Sequence, residues 1–288
     1  MPAALASRMK VAALLELTKP RITALVVFTT GAGLCLAPRQ ASLAVALITL
    51  GGTALAVAAA NSLNMFLERD TDALMPRTRN RPLPSRRLEP GKALAFGLVL
   101  AGISVPLLSF GAGPIPGSLA AVALVSYVIL YTPLKRRTSG ALLVGAVAGA
   151  IPPLIGWTAA TGRFDLPGLL LFAVLFLWQV PHFLAITLLR GGEYARAGLL
   201  VQPARGARRN IVVYTLAMIA CSLMFVPLGV GGRAYLVVTI VSGGLFFAHG
   251  LQGLRRAPYR GWARNEFLGS IGYLTVLLTV LLFDGSHL

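Results

Sequence analysis

Apolar runs of about 20 residues recur along the whole chain, and they constrain its fold more than any other feature. A helix needs about 20 residues to cross the hydrocarbon core of a bilayer. Inside lipid, every backbone polar group must be hydrogen bonded within the protein, which helices achieve segment by segment. Hydrophobic residues make up 56% of the 288 residues and charged residues only 12%. The sequence therefore predicts an all-α, polytopic membrane protein.

We count nine such runs, and we expect them to form one transmembrane domain over residues 1–288, a helical bundle. The runs cover residues 21–37, 42–66, 91–112, 115–134, 141–160, 167–190, 211–230, 234–254 and 267–284. Several of them are rich in Gly and Ala, which favours close helix packing or leaves room for a bulky ligand. The double proline 152–153 favours a local break in the fifth run.

The formal net charge of +17 raises the question of nucleic-acid binding, but the distribution of the charge argues against it. Of the 26 Lys and Arg residues, 23 fall in alternate segments between the apolar runs. This is the positive-inside pattern of a membrane protein. It predicts a cytoplasmic N-terminus, an outside C-terminus and no nucleic-acid partner.

Three of the nine acidic residues lie within five positions, directly after the second apolar run. Carboxylates near lipid are costly and repel each other, so such a cluster needs cations. Asn64, Glu68 and Asp72 are spaced four residues apart and share one slowly drifting helix face. Their oxygen atoms are ligands that Mg²⁺ prefers, whereas Asp70 points away from this face unless the helix end unwinds. We therefore predict a magnesium site at Asn64, Glu68 and Asp72, with Asp70 as a further candidate ligand.

Arginines follow the acidic cluster in the same loop, including Arg77 and Arg81. Guanidinium groups bind phosphate oxygens in bidentate fashion. Acids that hold a metal and arginines that take phosphate charge together describe a diphosphate site. The alternative interpretation is a solvated loop whose charges only set the topology.

These residues resemble the first acidic motif of the UbiA-type intramembrane prenyltransferases, and more specifically of the protoheme IX farnesyltransferase (haem O synthase) branch. Four further stretches carry the same resemblance, which runs from about residue 15 to 280. They are residues 17–22 (LTKPRI), 131–136 (YTPLKR), 149–157 (GAIPPLIGW) and 178–183 (WQVPHF) with Glu193 and Tyr194 in the following loop.

The resemblance implies nine transmembrane helices around a central cavity open to the cytoplasmic side. It implies transfer of a farnesyl group from farnesyl diphosphate to a vinyl group of haem B, with addition of water, to give haem O and diphosphate. Asn64, Glu68 and Asp72 would bind Mg²⁺, the expected cofactor. Arg77, Arg81, Lys135 and Arg136 would contact the diphosphate.

The resemblance also implies a bacterial inner-membrane protein that works beside lipid. Transient partners would be haem A synthase or oxidase assembly proteins.

The resemblance further singles out Gln179, His182 and Glu193 as haem contacts or as the second motif. His182 stands where other UbiA-type enzymes place an acid, which fits contact with haem. In the loop after it, Gly192 precedes Glu193 where two acids are common, so the motif is depleted here. His249 and His287 match no motif, and we expect neither to be catalytic.

Three alternatives remain from the sequence. A haem-carrying electron-transfer protein would normally need a pair of axial histidines, and only His182 and His249 lie within the apolar runs. A UbiA-type enzyme of other specificity would prenylate a quinone precursor or a chlorophyll-like ring. A transporter would use intramembrane acids as an ion path, but such acids tend to lie near the middle of the membrane. The acids of this chain come at the cytoplasmic end of a helix, beside an arginine-rich loop.

Overall fold

The protein is described by a computed structural model for residues 3–255 and 259–284, with side chains from residue 10 onward. Within these ranges it is all-helical. The helices are α1 (Ala3–Leu17), α2 (Pro20–Leu36), α3 (Leu43–Ala73), α4 (Pro90–Gly111), α5 (Pro114–Leu124), α6 (Thr132–Leu134), α7 (Ala141–Thr161), α8 (Leu166–Arg196), α9 (Ala204–Leu223), α10 (Arg233–Arg255) and α11 (Arg260–Asp284). A π-helix, Val125–Tyr131, joins α5 to α6.

Seven helical segments of the described chain are long and apolar enough to cross a membrane, so the protein is a multi-pass membrane protein. They are α3, α4, the continuous segment Pro114–Leu134, α7, α8, α10 and α11. Helix α2 is apolar but has only 17 residues. Helix α9 carries three arginines in its first turns, which lowers its hydropathy. The nine spans expected from the sequence therefore stay a prediction for α2 and α9.

Helix α7 lies at the centre of the bundle, packed against α2, α5 and α8. A side chain at Gly33 of α2 would collide with the Pro153 carbonyl, and one at Gly156 of α7 would collide with the Thr30 carbonyl. The small residues here therefore bring two backbones together, as is common between membrane helices. The break expected at Pro152 and Pro153 does not occur. Both prolines are buried inside a continuous helix, where neighbouring helices support the backbone.

Helices α8, α9, α10 and α11 pack against one another in the second half of the chain. Their shared core includes Met218, Tyr235, Phe246 and Tyr273. Helix α11 contacts both α8 and α10, and this position matters for the histidines described below.

Helix α3 begins at its cap Ser42, whose Oγ accepts a hydrogen bond from the Val45 amide, and it stays helical to Ala73. The loop from Leu74 to Glu89 then folds back as a series of turns. Helix α1, which the sequence did not suggest, covers this loop: Arg87 pairs with Glu16 of α1 at 2.8 Å. Residues Leu83 and Leu88 are buried against α1. The loop that follows the acidic cluster is therefore ordered, which fixes the arginines it carries.

Candidate active site

The acidic cluster lies on the last turns of α3, which remain helical. Asn64 and Asp72 are buried, and the Glu68 side chain is 14% exposed, whereas the Asp70 side chain is 82% exposed. Asp70 makes one long contact, with Arg69 at 3.8 Å. A regular helix thus places Asn64, Glu68 and Asp72 on the inner face and keeps Asp70 away from them.

Asp72 forms the shortest link between the helix and the arginine-rich loop. Its Oδ2 accepts a hydrogen bond from Arg81 Nη1 at 2.7 Å, and its side chain is only 2% exposed. The Thr78 hydroxyl donates to the Asp72 carbonyl at 2.8 Å. The loop therefore turns back on the helix end and holds Arg81 beside the carboxylate.

Glu68 is paired in the same way by a residue from the end of the fourth apolar run. Lys135 Nζ donates to Glu68 Oε1 at 2.7 Å and lies 4.4 Å from the ring centroid of Tyr131. The π-helix Val125–Tyr131 precedes this lysine. Wide turns of this kind are rare and are found frequently at functional sites.

Asn64 connects two helices that carry no acid of the site. Its Nδ2 donates to Thr132 Oγ1 at 3.0 Å, and its Oδ1 accepts from Lys19 Nζ at 3.5 Å. Lys19 has φ 48° and ψ 67°, a left-handed conformation that is strained for a residue other than glycine. Strain of this kind persists where surrounding contacts demand it, and here the lysine precedes Pro20 at the start of α2.

The site therefore has three cationic side chains, Lys19, Arg81 and Lys135, against the two carboxylates Glu68 and Asp72. Burial, followed by the charges of Arg81 and Lys135, lowers the pKa of Lys19 to about 7. A positive local potential of this kind favours the binding of an anion.

The donor set suits Mg²⁺ if Asn64 is counted, because an amide oxygen and two carboxylates are hard oxygen ligands. Each ion pair occupies one carboxylate oxygen, Oε1 of Glu68 and Oδ2 of Asp72. Among the described residues there is no group of three or more His, Cys, Asp or Glu side chains that could hold a metal ion. Any Mg²⁺ at this site would therefore depend on Asn64 and on oxygens of a bound ligand.

The other cations expected at the diphosphate lie further out. Arg77 is exposed and is within electrostatic range of Tyr194. Arg136 is exposed, and no hydrogen bond or ion pair of its side chain is found in the described part of the chain. The structure thus brings Arg81 and Lys135 to the acids and leaves Arg77 and Arg136 at the rim.

Glu193 lies in the last turns of α8. Its Oε1 is 3.3 Å from Arg190 Nη1, and its buried Oε2 has no hydrogen-bond partner within the described residues. The loop after α8 reaches the lysine that pairs with Glu68, because the Leu200 amide donates to the Lys135 carbonyl at 3.0 Å. The loop after α8 and the end of the fourth apolar run therefore meet beside the acidic cluster.

Gln179 and His182 have different surroundings. The Gln179 amide is buried and donates to the Ala146 and Leu175 carbonyls at 3.2 Å, so it ties α8 to α7. His182 is half-buried, with Nδ1 2.8 Å from Ser270 Oγ of α11.

His249 lies elsewhere in the fold, with its Nδ1 2.7 Å from Glu266 Oε2. His287 lies outside the described residues.

Lys19, Thr132 and Ser270 are polar residues at these sites that sequence reasoning gave no role. Lys19 had a signal, since it is a basic residue of the LTKPRI stretch, two positions before the first apolar run. Thr132 had one too, since it lies in the YTPLKR stretch at residues 131–136, whereas Ser270 had none, because hydroxyls in apolar helices usually bond to their own backbone. Their contacts appear only when helices distant in sequence come together.

The profile of the UbiA prenyltransferase family matches residues 26–271, so the chain belongs to this family. A protoheme IX farnesyltransferase of Sorangium cellulosum is 54% identical over 246 residues, which are 84% of this chain and 87% of the relative.

Two solved structures share the fold. A digeranylgeranylglyceryl phosphate synthase superposes with a TM-score of 0.83 at 15% identity, covering 96% of this chain and 98% of its own. A UbiA homologue from Archaeoglobus fulgidus bound to GPP and Mg²⁺ superposes with a TM-score of 0.62 at 14% identity, covering 93% and 99%.

Proposed function

We propose that this chain transfers a farnesyl group from farnesyl diphosphate to a vinyl group of haem B, with addition of water, to give haem O and diphosphate. The observation that carries the proposal is the 54% identity with a protoheme IX farnesyltransferase over most of both chains. The product would serve terminal oxidases, with transient contacts to haem A synthase or oxidase assembly proteins.

We propose that Asn64, Glu68 and Asp72 hold Mg²⁺ together with the diphosphate. A related fold has been solved with GPP and Mg²⁺, which supports a divalent metal here. The metal would supply a positive charge that stabilises the departing diphosphate.

Basic side chains of the protein would further stabilise the negative charge of the diphosphate. Arg81 and Lys135 are held by Asp72 and Glu68 and would turn towards phosphate oxygens when the diphosphate arrives, with Lys19 adding charge from the other side. Charge stabilisation by pre-positioned groups is usually the largest catalytic term in such a site. Arg77 and Arg136 would contact the diphosphate from the rim.

For the second substrate we propose contact between haem and His182, with Gln179 and Glu193 belonging to the depleted second motif. His182 is surrounded by Trp178, Phe183 and Phe267, whose rings suit a flat apolar ligand.

We further propose nine spans in one domain, in the bacterial inner membrane, with the site facing the cytoplasm. The positive-inside distribution of Lys and Arg supports this orientation, because the acidic cluster lies in one of the basic segments.

The test is to incubate membranes that contain the chain with haem B, farnesyl diphosphate and Mg²⁺ and to analyse the haems by mass. Haem O is the expected product. Consumption of a quinone precursor or a chlorophyll-like ring without formation of haem O would instead identify another UbiA-type specificity. Membranes from cells without the chain are the control.

A further inference from the structure

Two side chains of α8 form hydrogen bonds with Ser270 of α11. Trp178 Nε1 donates to the Ser270 carbonyl at 2.6 Å, and His182 Nδ1 lies 2.8 Å from the Ser270 hydroxyl oxygen. The ring of His182 stacks on Trp178 at 4.7 Å between centroids. The imidazole is therefore held from two directions.

The hydrogen bonds around Ser270 determine which nitrogen of His182 carries its proton. Ser270 Oγ lies 2.7 Å from the Phe267 carbonyl, which can only accept, so the hydroxyl hydrogen is donated there. The hydroxyl oxygen must then accept from His182 Nδ1. A neutral imidazole has one N–H, and therefore Nε2 keeps its lone pair.

No hydrogen-bond partner for Nε2 is found within residues 3–255 and 259–284, and His182 is half-buried rather than enclosed. Aromatic rings line its sides, with Phe183 at 5.6 Å and Phe267 at 4.9 Å between ring centroids. The result is an oriented proton acceptor in apolar surroundings, on the same helix as Arg190 and Glu193 and about two to three turns before them.

We propose that His182 Nε2 accepts the proton of the water molecule that adds to the haem side chain, with Ser270 as its positioning residue. The inference rests on the proposed haem farnesylation. In that reaction the allylic carbon–oxygen bond breaks, and diphosphate leaves with the electron pair. The terminal vinyl carbon bonds to the farnesyl carbon, which leaves a cation on the carbon next to the porphyrin.

Water then bonds to this cation while one of its protons passes to Nε2. The product is the hydroxyalkyl side chain, and the proton later leaves the imidazolium, to diphosphate or to solvent. Without an acceptor at this place, the cation would instead lose a proton from its neighbouring carbon to the departed diphosphate. That outcome gives an alkene product that is lighter by one water molecule.

The test compares His182→Gln with His249→Gln, a matched histidine paired to Glu266 at a different interface. Purified proteins in nanodiscs are given haem B, farnesyl diphosphate and Mg²⁺, and the haem products are separated and weighed. We expect His182→Gln to lose about 100-fold in haem O formation and to shift the product towards the alkene. His249→Gln should keep the wild-type product ratio.

Ser270→Ala and Ser270→Thr provide the second, independent test. Removal of the hydroxyl should raise the alkene fraction, and threonine, which restores a hydroxyl, should bring the ratio back. A merely structural role of Ser270 would lower both products together and leave their ratio unchanged. The two Ser270 variants also test the proposal if His182→Gln fails to fold.

Three results would overturn the inference. The first is a wild-type product ratio in His182→Gln, and the second is a wild-type product ratio in Ser270→Ala. The third is that the Soret band of haem shifts on binding to the wild-type protein but not on binding to His182→Gln. The last result would mean that Nε2 coordinates the iron. Failure of the wild-type protein to form haem O would instead reject the proposed function itself.

Discussion

The Lys135 ammonium lies 2.7 Å from the Glu68 carboxylate and joins the end of the fourth apolar run to the second one. The two side chains are 19% and 14% exposed, so neither charge is well solvated. The same arrangement recurs at Arg81 and Asp72. Without ligand, each acid of the site is thus neutralised by a cation that we assign to the diphosphate.

Substitution of Lys135 should therefore destabilise the protein until a metal replaces its charge. Lys135→Met leaves Glu68 buried and unpaired, which costs about 3–5 kcal/mol for an enclosed pair. Mg²⁺ with a prenyl diphosphate analogue should recover part of this loss. Thermal unfolding in detergent measures both effects, with the exposed Arg136→Met as control. Equal melting temperatures for the two variants would contradict the prediction.

The helical geometry of α3 predicts that substitution of Asp72 lowers turnover strongly, whereas substitution of Asp70 changes it little. Asp72→Asn removes a buried carboxylate of the proposed metal site, and we expect turnover to fall by more than about 100-fold while the protein still inserts. Asp70→Asn changes an exposed side chain and should stay within about twofold. Rates of haem O formation in membranes with matched protein levels decide between them. Near-normal activity of Asp72→Asn would remove the metal-site argument.

Thr132 should affect substrate binding through Asn64, which it orients. Thr132→Val keeps the shape of the side chain but leaves Asn64 Nδ2 without its 3.0 Å partner. We expect a loss of about tenfold in metal or diphosphate affinity, the usual scale for residues that orient a ligand. Titration with Mg²⁺ and a diphosphate analogue measures it. Thr138→Val, at an exposed position, is the matched control and should bind normally.

The close approach of α2 and α7 should make Gly156 far less tolerant of substitution than Gly51. Gly156→Ala places a methyl group against the Thr30 carbonyl, whereas Gly51→Ala meets open space. Overpacking of a well-packed contact costs about 1–3 kcal/mol, so Gly156→Ala should lower the melting temperature clearly. Gly51→Ala should leave the melting temperature unchanged. If both variants melt at the wild-type temperature, the backbones are not in contact at this point.

Local features of the sequence were enough for much of the fold. Seven of the nine predicted runs begin within about one residue of a helix in the structure, because run length and hydropathy are local properties that lipid enforces. The seventh and ninth runs, 211–230 and 267–284, start too late, because α9 begins at Ala204 and α11 at Arg260. The arginines at the start of both helices belong to the helix although they interrupt the apolar pattern. Helix α1 was missed because it has no membrane-length apolar run.

The sequence by itself also determined that Asn64, Glu68 and Asp72, the proposed ligands, share one face of α3, since their spacing follows from helical periodicity alone. Only the tertiary structure decided which partners these residues have. Lys19, Thr132 and Lys135 come from other helices, and Ser270 meets His182 from a distance of 88 residues along the chain. Such contacts depend on how helices are arranged in the bundle, and no local pattern encodes that arrangement.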